Sequence, residues 1–157
     1  MSRTAEPKSI GSHPIDILLV EDNEADIKIT LRAFDKAKIK NNIFVVRDGQ
    51  EALDYLYHQN RYADKSKFSH PNMILLDIQL PKLTGFEVLQ ALKNDNKLKI
   101  IPVVVLTSST NDKDILQSYD YGVVSFIQKP VDYQAFEKVV DGFNFYWRSI
   151  NKLPNLK

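Results

Sequence analysis

Five short, continuously apolar runs, separated by stretches of helical periodicity, constrain this chain more than any other feature. The runs are IDILLV (15–20), IFVV (43–46), MILL (73–76), IPVVVLT (101–107) and VVSFI (123–127). Each has the length of a strand, and none shows the apolar/polar alternation of a strand with one wet face. Continuous apolar strands are what a parallel sheet covered by helices on both faces requires. Between the runs, apolar residues recur at helical spacing: Ile27, Leu31 and Phe34, then Ala52, Leu53 and Leu56, then Val88, Leu89 and Leu92, then Ile115, Leu116 and Tyr119. The alternation predicts repeated βα units forming an open, doubly wound α/β sheet, with a last helix from about Asp132 to Ile150.

In such sheets ligands bind beyond the carboxyl ends of the strands, so the residues that end the runs are read together. The first run ends in Glu21 and Asp22, the third in Asp77, the fourth in Thr107 and Ser108, and the fifth in Gln128, Lys129 and Pro130. Each has an ordinary explanation on its own. Asp22 or Asn23 would cap a helix, an acid after a strand is commonly a solvated loop residue, and a lysine before proline suits a surface turn. Their coincidence at four strand ends is what points to a site. Three carboxylates on one edge repel each other, and a hard divalent cation with oxygen ligands, magnesium above all, offsets that repulsion while leaving a side open for phosphate. Lys129 would then supply a compact positive charge and Thr107 a hydroxyl donor to phosphate oxygens. Asp77 is the candidate nucleophile, forming an aspartyl phosphate.

Composition narrows the alternatives. A chain of 157 residues suits one domain, and a formal net charge of +1 gives no broad attraction to nucleic acid or an anionic membrane, so neither is expected as a partner. The absence of cysteine excludes disulfides, thiol catalysis and cysteine-ligated zinc, and His13, His58 and His70 lack metal-ligand spacing. No apolar run approaches the roughly 20 residues that span a bilayer, and MSRTAEPKSIGSHP has no signal-peptide core, so a cytoplasmic location is expected. Residues 1–14 read as a flexible tail, 15–150 as the folded domain and 151–157 as a C-terminal tail. With five glycines the chain holds neither a dinucleotide fingerprint nor a P-loop. A flavin carrier would have to bring its phosphate to EDNEAD, which would repel it unless a metal intervened. A phosphatase with an aspartate nucleophile would normally carry a second acid where Gln79 stands.

The segments LLVEDNEADIKIT, ILLDIQLPKLTGFEVL, IPVVVLTSS and FIQKPVD resemble the receiver domain of bacterial two-component response regulators, from about Ile15 to Trp147. The resemblance implies a flavodoxin-like five-stranded parallel sheet of order 2-1-3-4-5 with helices on both faces. It also implies a signal transducer that phosphorylates and dephosphorylates itself and catalyses nothing else. Asp77 would accept a phosphoryl group from a kinase histidine, assisted by Lys129 and Thr107. Mg2+ would be held by Asp22, Asp77 and the main-chain carbonyl of Gln79, with Glu21 reaching it through water. A cis bond before Pro130 is implied, as is a switch that couples Thr107 to Phe126, although Phe126 also reads simply as core. Gln79 and Ser109 would flank the path of the water that ends the signal.

A finer resemblance lies in DNEADIKIT, YLYHQNRYADKSKFSHPN and FNFYWRSINKLP, which are similar to the small single-domain regulators paired with phytochrome histidine kinases. It implies a phytochrome-type sensor kinase as partner and output through protein contacts without a separate output domain. A homodimer through the fourth helix, the fifth strand and the last helix is implied too, with Phe136, Val140, Phe143 and Trp147 as contacts. The competing reading of that last helix is a stripe packed on the sheet plus scattered exposed aromatics. The alternative function is a receiver fold kept as a phosphate-independent interaction module. The polar stretch from His58 to Asn72 carries no functional expectation.

Overall fold

The apolar runs become strands β1 (Ile15–Val20), β2 (Asn41–Val46), β3 (Met73–Asp77), β4 (Val103–Thr107) and β5 (Ser125–Gln128). All are parallel and stand in the order β2-β1-β3-β4-β5. The structure, a computed structural model, describes residues 14–37, 40–80, 82–108 and 123–151, through the backbone alone from 143 onward. The helix expected around Ile115 to Tyr119, Ser109, and the side chains of Phe143 and Trp147 therefore lie outside the described residues. Helices α1 (Glu24–Lys36), α2 (Gly49–Tyr57), α3 (Gly85–Lys93) and α4 (Tyr133–Asn151) complete the frame.

Because successive strand residues point to opposite faces, the continuous apolar runs feed two separate cores. Leu18, Val20, Ile74, Leu76, Val103 and Val105 pack with Ala52 and Leu56 of α2 and Val88, Leu89 and Leu92 of α3. Ile17, Leu19, Met73, Leu75, Val104 and Leu106 pack with Ala33 and Phe34 of α1 and Phe136 and Val140 of α4. This is the doubly wound arrangement that the sequence predicts.

Short polar side chains fix where the helices begin. Asn23 accepts a hydrogen bond from the Asp26 backbone N–H, Asp48 from that of Glu51, and Thr84 forms a reciprocal capping box with Glu87. Each start is thereby tied to the loop leaving a strand, which is where site residues sit.

Two expectations about helix faces need correction. Leu31 is 37% exposed, and the inward stripe of α1 runs instead through Ile27, Thr30, Ala33 and Phe34. Phe136 and Val140, expected at a dimer interface, are fully buried within this chain, and the Phe136 ring stacks on Phe34 with centroids 3.9 Å apart. An apolar stripe records burial without recording what covers it, and here the cover is the chain's own sheet and α1.

The His58 to Asn72 stretch acquires a structural role. It carries Tyr62 and Phe68 onto Phe44 of β2 and Tyr55 of α2, giving a cluster of edge-on and tilted rings with centroids 5.0 to 5.9 Å apart. Tyr62 is wholly buried, and its hydroxyl donates to Glu51. The stretch thus extends the α2-side core over edge strand β2.

Candidate phosphorylation and metal site

At the sheet's switch point, β1 connects outward to β2 while its other neighbour is β3. The register pairs Val20 with Leu76, so the next residues, Glu21 and Asp77, emerge side by side. Backbone pairing continues past the strand ends: Glu21 N–H donates to Val46 O at 3.0 Å, Ile78 N–H to Leu106 O at 3.2 Å, and Lys129 N–H to Thr107 O at 2.9 Å. The site residues are therefore held by the sheet.

The Lys129 ammonium is the centre of the arrangement. It lies 2.8 Å from Glu21 Oε1, 3.0 Å from Asp77 Oδ2 and 3.0 Å from Asp26 Oδ2. Glu21 is fully buried, Asp77 and Thr107 are buried, and Asp22 is exposed. Carboxylate oxygens of Glu21, Asp22 and Asp77 all lie within 4.8 Å of one another. Asp77 Oδ1 accepts the Gln79 backbone N–H at 3.0 Å, which orients the carboxylate, and Glu21 Oε2 accepts that of Asn23 at 3.3 Å. Glu21 Oε1 makes no hydrogen bond despite its burial. Its contact with Lys129 is close but lacks hydrogen-bond direction, so this oxygen retains capacity for a cation or a metal-bound water. A hard divalent cation fits this donor set of oxygens, one of them exposed.

Electrostatics follow from the crowding. Burial, reinforced by Asp77 and opposed by Lys129, pushes the Glu21 carboxyl up to about 7. Burial by itself would lower the Lys129 ammonium, but the nearby negative charge of Glu21, Asp77 and Asp26 prevails and holds it above the usual lysine value. A carboxyl whose pKa is higher folded than unfolded contributes stability in full below its unfolded value, and that contribution is lost as pH rises through the folded value. In chelator, the Glu21 contribution to the melting temperature is therefore expected to be lost as pH rises from about 4.5 to about 7, and to be absent in Glu21→Gln. Equal slopes for the two proteins in a thermal titration would refute this assignment.

Among the other anticipated residues, Phe126 is half-buried against the α2-side core, next to Val105 of β4, and the Lys129–Pro130 bond is cis. Two structural features of the site escape a reading of strand ends. Asp26 enters from the first turn of α1; its position four residues after Asp22 is the helical spacing that could have drawn attention to it. Gly85 opens α3 against the backbone that follows β3: a Cβ there would lie 2.7 Å from Ile78 Cα and 2.8 Å from Asp77 O.

The chain matches the family model of the response regulator receiver domain over residues 17–141. The probable methanogenesis regulatory protein FilR2 of Methanothrix harundinacea is 41% identical over 141 residues, covering 90% of this chain and 88% of FilR2. Response regulator Rcp1 of Synechocystis sp. is 38% identical over 141 residues, covering 90% and 94% of the two chains. The Mn(2+)-bound form of Rcp1 is similar in structure with a TM-score of 0.69 over 85% of this chain and 94% of that one. The phosphorylated cyanobacterial phytochrome response regulator RcpA is 42% identical with a TM-score of 0.72, over 87% of this chain and 96% of RcpA.

Proposed function

This chain belongs to the response regulator receiver family, and on that premise we propose that it is a phosphorylation-activated signal transducer. Asp77 takes a phosphoryl group from the histidine of a phytochrome-type sensor kinase, with Mg2+ in the site. The observation that carries this reading is the placement of Asp77. One of its oxygens faces the Lys129 ammonium, the other is oriented by Gln79 N–H, and the Glu21 and Asp22 oxygens lie within 4.8 Å. The phytochrome-type kinase is drawn from RcpA, similar to this chain in sequence and fold over nearly its whole length.

In the proposed reaction an Asp77 carboxylate oxygen attacks phosphorus while the bond from phosphorus to the histidine nitrogen breaks. The electron pair leaves with the imidazole, which takes up a proton, and an acyl phosphate forms on Asp77. Lys129 turns its ammonium to the phosphoryl oxygens, and the Thr107 hydroxyl donates to another of them. Asp22, Asp77 and the Gln79 carbonyl would hold Mg2+, with Glu21 assisting, and the cation when bound would offset the negative charge of the phosphoryl oxygens. Drawing Thr107 toward phosphate frees space beside β4 for Phe126 to move, and the changed β5 surface biases partner binding. Water attacking phosphorus, guided by Gln79 and Ser109, returns free phosphate and the Asp77 carboxylate.

The acting unit is taken as residues 15–150, in the cytoplasm, and no helix among the described residues is long and apolar enough to cross a membrane. A second copy of the chain docks, in this reading, through the helix expected before β5, through β5 itself and through α4. Phe136 and Val140 are left out of that contact because they line the core.

The test is intact-mass spectrometry after incubation with a small acyl phosphate, with and without magnesium. A magnesium-dependent phosphoryl adduct is expected on the wild type and none on Asp77→Asn. If no adduct forms with acyl phosphate or with a phytochrome-type kinase, the phosphate-independent interaction module becomes the better reading.

A further inference from the structure

We propose that Asp26 is a positioning residue that competes with Asp77 for Lys129, so that its charge strengthens the site for a divalent cation and weakens it for a phosphoryl group. The inference rests on the phosphorylation reading above. Its ground is a shared ammonium: Lys129 Nζ donates to Asp26 Oδ2 and to Asp77 Oδ2 at the same distance, 3.0 Å. Two of the three N–H groups of the lysine are thus divided between the acceptor aspartate and an acid on a different element.

Asp26 is fixed in place by the segment that supplies the other acids. Its backbone N–H is bonded to Asn23 Oδ1 at 2.9 Å, and the Asn23 N–H is bonded to Glu21 Oε2 at 3.3 Å. Glu21, Asp22 and Asp26 therefore act from one short, capped turn. The three acids around the ammonium differ in exposure. The Glu21 and Asp77 side chains are buried, whereas that of Asp26 is 30% exposed. A partly exposed acid paired with the ammonium partly neutralises Lys129 and repels an anionic donor. The same charge attracts a cation entering the pocket. Removing it should move the two ligands in opposite directions, whereas a residue that merely supports the fold would weaken both when lost.

The experiment compares wild type, Asp26→Asn and Asp26→Glu. Magnesium affinity is measured by calorimetry; then, at saturating magnesium, beryllofluoride affinity and the rate of phosphorylation by acyl phosphate are measured. For a unit charge removed from a partly exposed site, Asp26→Asn is expected to weaken magnesium by about three- to tenfold. It should raise beryllofluoride affinity and phosphorylation rate by about three- to tenfold. Asp26→Glu, which keeps the charge, should stay close to wild type. A slower or unchanged phosphorylation rate in Asp26→Asn, or the same change in Asp26→Glu, overturns the inference while leaving the phosphorylation reading intact. A wild type that takes up neither beryllofluoride nor phosphoryl group removes both.

Discussion

Lys129→Met is expected to destabilise the chain by about 3 to 5 kcal/mol, because removing one member of a buried ion pair strands its partner. Glu21 is fully buried and the Lys129 side chain is only 11% exposed, so water cannot replace the lost ammonium. The remaining carboxylates of Glu21, Asp77 and Asp26 would face one another with no protein cation between them. Two rescues should distinguish this cause from a simple packing defect. Magnesium should recover part of the loss by restoring positive charge among the same oxygens. Combining Lys129→Met with Glu21→Gln should cost less than the two single losses added together, since the stranded charge is then absent. Phosphorylation by acyl phosphate should fall by about 100-fold or more in Lys129→Met, the scale of losing a preorganised charge at a reacting group. Denaturant unfolding with and without magnesium checks the first part. A stability close to that of wild type would show that the ammonium is not what compensates Glu21.

The location of this pocket was legible in the sequence because strand ends are sharp features. Continuous apolar runs identify parallel strands, and Glu21, Asp22, Asp77, Thr107 and Lys129 each stand at or just past the end of one. What the sequence could not carry depends on which way a helix turns. Asp26 reaches Lys129 across 103 residues of sequence, from a helix turn whose orientation the Asn23 cap determines. Phe136 and Val140 look the same in sequence whether they cover this chain's sheet or a partner's surface, and their burial in this chain's own core decides it. Leu31 fits the helical period of Ile27 and Phe34 yet lies outward, since Thr30 and Ala33 take the inward places. The ring cluster joining Phe44, Tyr55, Tyr62 and Phe68 escaped because no single periodicity links a strand, a helix and an irregular stretch.

The second large effect belongs to Gly85, where helix propensity and packing give opposite signs. In an open helical position, Gly→Ala stabilises by up to about 1 kcal/mol. At Gly85 a Cβ would lie 2.7 Å from Ile78 Cα, 2.8 Å from Asp77 O and 2.9 Å from Ile78 O. These are backbone atoms, so no side chain can swing aside, and the Gly85 N–H is itself bonded to Ile78 O at 3.2 Å. Either α3 retreats or the Asp77–Ile78 backbone shifts, and the second course disturbs the Gln79 N–H to Asp77 Oδ1 bond that orients the acceptor carboxylate. Overpacking of this kind costs about 1 to 3 kcal/mol, so Gly85→Ala should destabilise the chain despite the better helix former. Phosphorylation should slow by about tenfold or more, as expected when a reacting group is displaced by a fraction of its bond length. Gly142→Ala on α4 is the matched comparison, since its added Cβ meets nothing within 4 Å. That variant should be at least as stable as wild type and phosphorylate at the same rate. If Gly85→Ala behaved like Gly142→Ala in both unfolding and phosphorylation, close contact between α3 and the acceptor loop could not be what holds Asp77 in register with Lys129.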